Sequence, residues 1–458
     1  MTQTQGNPLG FADPKKLLIQ FTIPSIFSMT ASSLYNLVDQ MFIGWKVGII
    51  GNAATNVAFP LTTILLALSL IIGIGSSSRF GMEMGRGNKA MANKAVGNAI
   101  LMMVIAGVVV MAVTLVFLHP LMTLFGATPE VLPYAATYVR ITAIGFPFFM
   151  FFHTMCALIR MDGSPKYSMF SILIGCIINV ILDPVLMFGF DMGIEGAAYA
   201  TVISQIISFV FTFVYLFRMK QVQLTKASFI PDIKNCFKNL SLGFSTFVTQ
   251  ISITIVQIVL NNALVIYGAM SIYGAEIPLG AAGVILKVNT IVVNLFIAIS
   301  QGSQPLYSFN MGAKKYDRVK AVYKQAIKMS LYISIVALIV FEVFPKPLLM
   351  LFGETSDLYF AFGIPFMRVY LCMIILNGIQ VLSTNIMAAI GMPVKGSLLA
   401  IVRYIVLPIP LILIIPMFAG IDGIKFAGAI TDAVAAIISI LVVYMTFKKL
   451  VLPVEDTN

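Results

Sequence analysis

Charge is scarce in this chain: only 10% of its 458 residues are Asp, Glu, Lys or Arg, against about a quarter in a soluble domain. So few charges cannot cover the surface of a water-soluble protein this long. Histidine occurs twice, as His119 and His153, which leaves no basis for a histidine-built metal or catalytic centre. The four cysteines, Cys156, Cys176, Cys236 and Cys372, have no metal-ligand spacing and read as packing residues. No GxSxG, Walker A or HExxH pattern occurs, and no nucleophile, base and acid group together, so an enzyme is not expected.

What the chain has in excess is apolar: 59% of its residues are hydrophobic. Its long apolar runs can each cross a hydrocarbon core, which takes about 20 helical residues. Spans are predicted near 17–45, 53–78, 95–118, 133–159, 167–189, 196–217, 239–268, 279–304, 318–344, 358–389, 396–417 and 424–447. The expected fold is therefore an all-α polytopic membrane protein with twelve transmembrane helices. The first run follows a polar tail, MTQTQGNPLGFADPKK, and is too long for the core of a cleavable signal. With the N-terminus inside, most of the 29 Lys and Arg fall on the cytoplasmic side, among them Lys15, Lys16, Arg79, Arg86, Arg218, Lys220, Lys314, Lys315, Lys448 and Lys449. Lys46, Lys346 and Lys425 fall in the outer loops. This bias predicts an inner (plasma) membrane protein with both termini cytoplasmic. The net charge of +11 then sets topology, and no nucleic-acid partner is expected.

An internal repeat organises the chain. HPLMTLFGAT (119–128) returns as KPLLMLFGET (346–355), 227 residues later. At the same offset GIGSSSRFGMEMG (73–85) lies over SQGSQPLYSFNMG (300–312), and GIEGAAYATVISQ (193–205) over GIDGIKFAGAITD (420–432). Six crossings per repeat return the chain to its starting side, so the halves are parallel repeats about an axis along the membrane normal. Two pseudo-symmetric six-helix lobes are expected, residues 1–225 and 226–458, joined by the basic stretch RMKQVQLTKASFIPDIKN (218–235). Two such lobes can rock about a site between them.

A carboxylate at mid-bilayer costs about 2.5–3.5 kcal/mol on insertion scales, so its retention is read as functional. The N-terminal half has Asp39 in SLYNLVDQMFIG and Asp183 in IINVILDPVLMFG. Asn179 precedes Asp183 by four residues and shares its helix face. Pro184 frees a backbone carbonyl about one turn earlier. Such an oxygen-rich face suits Na⁺ or a proton. The alternative is a structural role, with Asp183 bonding backbone beside a proline kink and Asp39 facing water. The repeat argues against it, because Asp39 aligns with Asn262 and Asp183 with Pro410. The C-terminal half carries amides instead, including Gln257, Asn262, Asn289, Asn294, Asn377 and Gln380. Asp432, opposite Gln205 in the repeat, is a weaker candidate for a second site.

From FTIPSIFSMTASSLYNLVDQMFIG onward, nearly the whole chain resembles the multidrug and toxic compound extrusion (MATE) family, especially its bacterial multidrug-export branch. The loop SQGSQPLYSFNMGAKKYDRV (300–319) and the stretch NVILDPVLMFGFDMGIEGAAYAT (179–201) carry the likeness most specifically. The resemblance implies cation-driven drug export, with a cation site whose matching residues here are Asp39, Asn179, Asp183 and Thr201. Na⁺ at Asp39, Asn179 and Asp183 is one form of that site, a proton the other. The resemblance also implies a central substrate cavity, for whose wall Tyr35, Asn36, Gln257, Asn262, Asn289 and Asn377 are candidates. The carboxylates that some members carry in the second lobe have no counterpart here: Gln257 and Asn377 are amides, and Glu276 follows helix 7.

The expected function is thus a monomeric antiporter, exchanging H⁺ or Na⁺ for amphipathic, often cationic organic compounds. No cofactor is expected, and the partners are small organic drugs, the coupling cation and membrane lipid. A lipid-linked saccharide flippase of the same superfamily is one alternative; a channel or receptor is another, from a different class.

Overall fold

The computed structural model describes residues 7–350 and 356–450, and among them there is no strand. Among the described residues ten helices are long and apolar enough to span a membrane, and two bent pairs, each taken as one span, complete twelve. In chain order these are α1 (Pro14–Val47), α2 (Ile49–Gly85), α3 (Lys89–Val116), α4 (Leu132–Ile144 with Phe146–Met161), α5 (Pro165–Gly189) and α6 (Gly193–Leu216). The second half repeats them as α7 (Ile233–Ala269), α8 (Glu276–Gly312), α9 (Tyr316–Val343), α10 (Asp357–Leu371 with Ile374–Ala389), α11 (Pro393–Ala419) and α12 (Ile421–Lys449). The expected all-α membrane fold is present. Residues 351–355, the end of the repeated stretch KPLLMLFGET, lie outside the described residues.

The halves bend alike. α4 turns by 55° at Gly145 and α10 by 48° after Leu371, positions one repeat apart. In α4 the cause is local: Gly145 weakens the helix and Pro147 cannot donate to the preceding turn. α10 has neither residue at its break, so there the bend follows its neighbours. Both α5 and α11 contain a π turn, Val185–Gly189 and Val402–Val406, each beside a proline that disrupts the helical hydrogen-bond ladder.

Several helices run past the predicted apolar spans at the end rich in Lys and Arg, called here the basic end. α2 continues to Gly85 and α7 begins at Ile233, although the apolar runs stop near 78 and 239. The polar extensions brace one half against the other. Arg79 donates to the Asn235 carbonyl at 3.0 Å, and Gln304 to the Ser77 and Ser78 hydroxyls at 2.8 and 2.9 Å. The lead-in segment of each half also docks on the other half. Asn310 and Lys315 donate to the carbonyls of Leu9 and Gly10, while Lys94 pairs with Asp232 at 3.1 Å. One core, running from Leu260 to Ala427, is built from the second half alone. The larger core draws on both halves, joining Phe80 and Leu158 with Leu306 and Phe309.

Glycine makes the closest of these contacts possible. A Cβ on Gly75 would lie 1.9 Å from the Asn239 carbonyl oxygen, and one on Gly243 equally close to that of Ile71. Gly85 and Gly312 meet the backbones of α8 and α2 in the same reciprocal way. A side chain there must push two helices apart, whereas at Gly280 nothing lies within 4 Å. Gly75→Ala is therefore expected to lower stability by about 1–3 kcal/mol. Gly280→Ala is expected to leave it unchanged or raise it slightly, through helix propensity. Melting temperatures in one detergent check the contrast; equal effects would remove Gly75 from the set of essential contacts.

Candidate cation site

α1 and α5 bring two acids together. Asp39 and Tyr35 lie one turn apart on the same face of α1, and Ile43 continues that face. On α5, Asn179 and Asp183 are likewise one turn apart, just before Pro184 and the π turn. Asp39 is 7% exposed, Asn179 2% and Asp183 not at all. The two carboxyl groups lie close enough to act on each other electrostatically, and Asn179 donates its amide to Asp183 Oδ1 at 3.4 Å.

The oxygens left over define the chemistry. Asp39 Oδ1, Asp183 Oδ2 and Asn179 Oδ1 are buried with no hydrogen-bond donor among the described residues. Two facing carboxyl groups repel one another unless a proton or a cation lies between them. Acceptor oxygens of this kind suit a proton or one hard cation. Among the described residues no three His, Cys, Asp or Glu side chains converge.

Thr201 on α6 lies near Tyr138 of α4, which is within the electrostatic reach of both acids. Tyr138 escaped the reading of the sequence. The signal was its hydroxyl, which needs a partner when it is placed inside an apolar helix. Beyond the acids, away from the basic end, Ile43, Met187 and Ala197 are fully buried against Phe42, Val47 and Tyr138. This small apolar cluster packs one turn beyond the acids. Outside it, Lys46 pairs with Asp191 and lies 5.5 Å over the Phe188 ring, tying the end of α1 to the α5–α6 loop. That contact holds the Asp191 carboxyl below its usual range, so the tie persists at neutral pH and is lost as acid protonates Asp191.

The candidate cavity residues are scattered. Tyr35 lies beside the acid pair, with Asp39 and Asp183 both acting on it. Asn36 is exposed and donates to the Ser32 carbonyl at 2.7 Å. Gln257 and Asn262 are exposed, and Asn289 Oδ1 is buried without a donor. Asn377 is buried and bound to Arg403, which donates to its carbonyl at 3.4 Å and to its side-chain oxygen.

Arg403 is the centre of a cluster that sequence reasoning did not assemble. It lies 3.6 Å from Asp432, stacks 4.8 Å from Tyr404, and is itself 7% exposed. Gln380 donates to the Asp432 carbonyl. The acid of the second half thus has an arginine built in beside it, while the two acids of the first half face each other.

Among the described residues, hydrogen bonds between the halves run from the basic end as far as Asn294 and Ser33, 2.9 Å apart at about mid-length of α8 and α1.

With this geometry in hand, the relatives are informative. The MatE family model matches residues 24–185 and 244–414. The multidrug export protein MepA of Staphylococcus saprophyticus is 24% identical over 436 residues, covering 95% of this chain and 94% of its own. The protein of that name from Staphylococcus aureus is 24% identical over 442 residues, covering 96% of each. Among solved structures, an outward-facing multidrug resistance MATE family transporter of the MOP superfamily is 23% identical, with a TM-score of 0.91 over 99% of this chain and 100% of that one. A MOP superfamily transporter from Pyrococcus furiosus, described as having a binding pocket of reverse polarity, gives 0.92 at 23% identity and the same coverage. The structures share the fold, and the family model covers most of the chain, which therefore belongs to the MatE family and is a membrane transporter, not an enzyme.

Proposed function

We propose that this transporter is an antiporter, exporting amphipathic, often cationic organic compounds in exchange for H⁺ or Na⁺ taken up at Asp39, Asn179, Asp183 and Thr201. One observation carries the reading: on neighbouring faces of α1 and α5, three buried acceptor oxygens, of Asp39, Asn179 and Asp183, have no donor among the described residues. The substrate class is supported by the relatives, which are named multidrug export proteins.

In this reading the units that move are residues 1–225 and 226–458, within a single monomer. Both termini are cytoplasmic, as the bias of Lys and Arg supports. The hydrogen bonds between the halves then close the cytoplasmic side up to Asn294 and Ser33, and the path opens outwards. The coupling ion enters from outside, and its charge settles the repulsion between Asp39 and Asp183. It drives transport only if the two orientations of the protein bind it with different affinity. α1 is the element that can transmit the difference, because it carries Asp39 and Ser33 and packs on both halves. An inward charge gains about 2.3 kcal/mol per 100 mV, enough for concentrative export. Drug leaves as the ion site fills, and the ion is released inside when the halves rock back.

Ethidium export from proteoliposomes tests this. An imposed pH gradient or Na⁺ gradient is expected to drive export by the wild type. Asp183→Asn and Asp39→Asn are expected to reduce driven export to the level of protein-free vesicles while remaining monodisperse. Export by Asp183→Asn at the wild-type rate would reduce that carboxyl to a residue of the helix kink. The second half gives a contrasting expectation, because its acid is already neutralised. Arg403→Met leaves Asp432 buried alone and should cost about 3–5 kcal/mol of stability. Adding Asp432→Leu should restore most of it and leave the choice of coupling ion unchanged. A double variant that folds but couples to neither gradient would place part of the ion chemistry in the second half.

A further inference from the structure

A cavity of about 550 Å³ opens at the basic end between α1, α5 and α6. Gln20 of α1, Lys166, Tyr167 and Phe170 of α5, and Arg218 and Lys220 beyond α6 line it. Lys166, Arg218 and Lys220 are exposed. None of the six ion pairs among the described residues involves them. The acid nearest to hand acts on one of them, Lys220, from beneath the surface. Asp162 is fully buried, and its oxygens accept from the Tyr215 hydroxyl at 2.7 Å and from the backbone N–H groups of Lys220 and Gln221 at 2.8 Å. The cavity therefore presents three exposed cations outside any ion pair, with one buried carboxylate, Asp162, behind Lys220.

Its lower wall is apolar and continues along the membrane. Phe170, Ile177 and Ile181 are each more than half exposed, and their spacing puts them on one face of α5. Lys166 stands one turn above Phe170 on that face. A ligand that fills both features has a negatively charged head and a hydrocarbon tail. A soluble phosphate compound satisfies the three cations and has no use for the stripe. Basic pockets between helix ends at the membrane boundary bind anionic lipid headgroups by this combination.

We propose that this cavity binds the phosphate headgroup of an anionic phospholipid in the cytoplasmic leaflet, with its acyl chains along Phe170, Ile177 and Ile181. The lipid bridges the ends of α1, α5 and α6. Those three helices carry Asp39, Asn179 with Asp183, and Thr201. A bound lipid thus holds together the elements that assemble the ion site, whichever ion couples transport.

The test uses the full chain, delipidated in detergent, titrated with dioctanoyl phosphatidylglycerol and read by thermal shift and native mass spectrometry. Dioctanoyl phosphatidylcholine, glycerol 3-phosphate and inorganic phosphate are the comparison probes. Wild type should bind phosphatidylglycerol about tenfold or more tightly than phosphatidylcholine. The triple variant Lys166→Gln, Arg218→Gln, Lys220→Gln should lose that preference, while Lys89→Gln, Lys448→Gln, Lys449→Gln, with the same change of charge, should keep it. Phe170→Ala should weaken the dioctanoyl lipids and leave glycerol 3-phosphate and inorganic phosphate unaffected. If the first triple variant is not monodisperse, Lys166→Gln by itself should still show a severalfold loss. Unchanged preference in either Lys166 variant overturns the proposal. Binding of glycerol 3-phosphate or phosphate as tight as that of phosphatidylglycerol overturns the lipid assignment and leaves a site for a soluble anion.

Discussion

Two buried carboxyl groups facing each other inside an apolar helix bundle need a positive partner, and most of the fold can be understood from that need. Asp39 and Asp183 repel unless a proton or cation joins them, and Asn179 adds an acceptor without supplying a second donor to Asp183. The second half solves the same problem internally: Arg403 lies beside Asp432 and is itself held by Asn377. The repeat therefore conserves architecture and divides the electrostatics. One half is charge-compensated by its own side chains, and the other is left for an ion to complete.

The surrounding structure keeps that incompleteness useful. Pro184 and the π turn that follows loosen α5 where Asp183 sits, so the acid stands beside backbone whose helical bonding is already interrupted. Ile43, Met187 and Ala197 form an apolar cluster one turn beyond the acids, and low-dielectric surroundings of this kind strengthen charge interactions. At the basic end, helices that approach backbone to backbone at Gly75, Gly243, Gly85 and Gly312 hold the halves together. An acid pair left without a donor and halves joined by hydrogen bonds at the basic end are the two features that the proposed alternating access draws on.

Much of this was legible in the sequence, and the reasons are physical. Helix number followed from the length of the apolar runs, because hydrocarbon thickness fixes how many residues each crossing needs. The repeat showed itself at one fixed offset, and the structure returns it as the paired bends of α4 and α10. Asp183 stood out because a carboxylate beside a proline in an apolar run is costly. What periodicity cannot give is which side chains meet across helices. The neighbourhood of Asp39 and Asp183 was implied only by resemblance, Tyr138 was overlooked, and Asn377 sits under Arg403, buried in the second half. Helix ends were underestimated for a related reason: Arg79 and Asn235 are too polar to extend an apolar run, yet they are helical because each braces the other half.

The central claim is that the carboxyl pair of the first half is where ion and drug exclude one another. The most direct measurement is ion release on drug binding, made by adding ethidium to detergent-solubilised protein in weakly buffered solution and recording pH and free Na⁺ together. Wild type should release one of the two ions as drug binds, and Asp39→Asn with Asp183→Asn should bind drug and release neither. Drug binding to the wild type with no release of either ion, or equal release from the double variant, would contradict it.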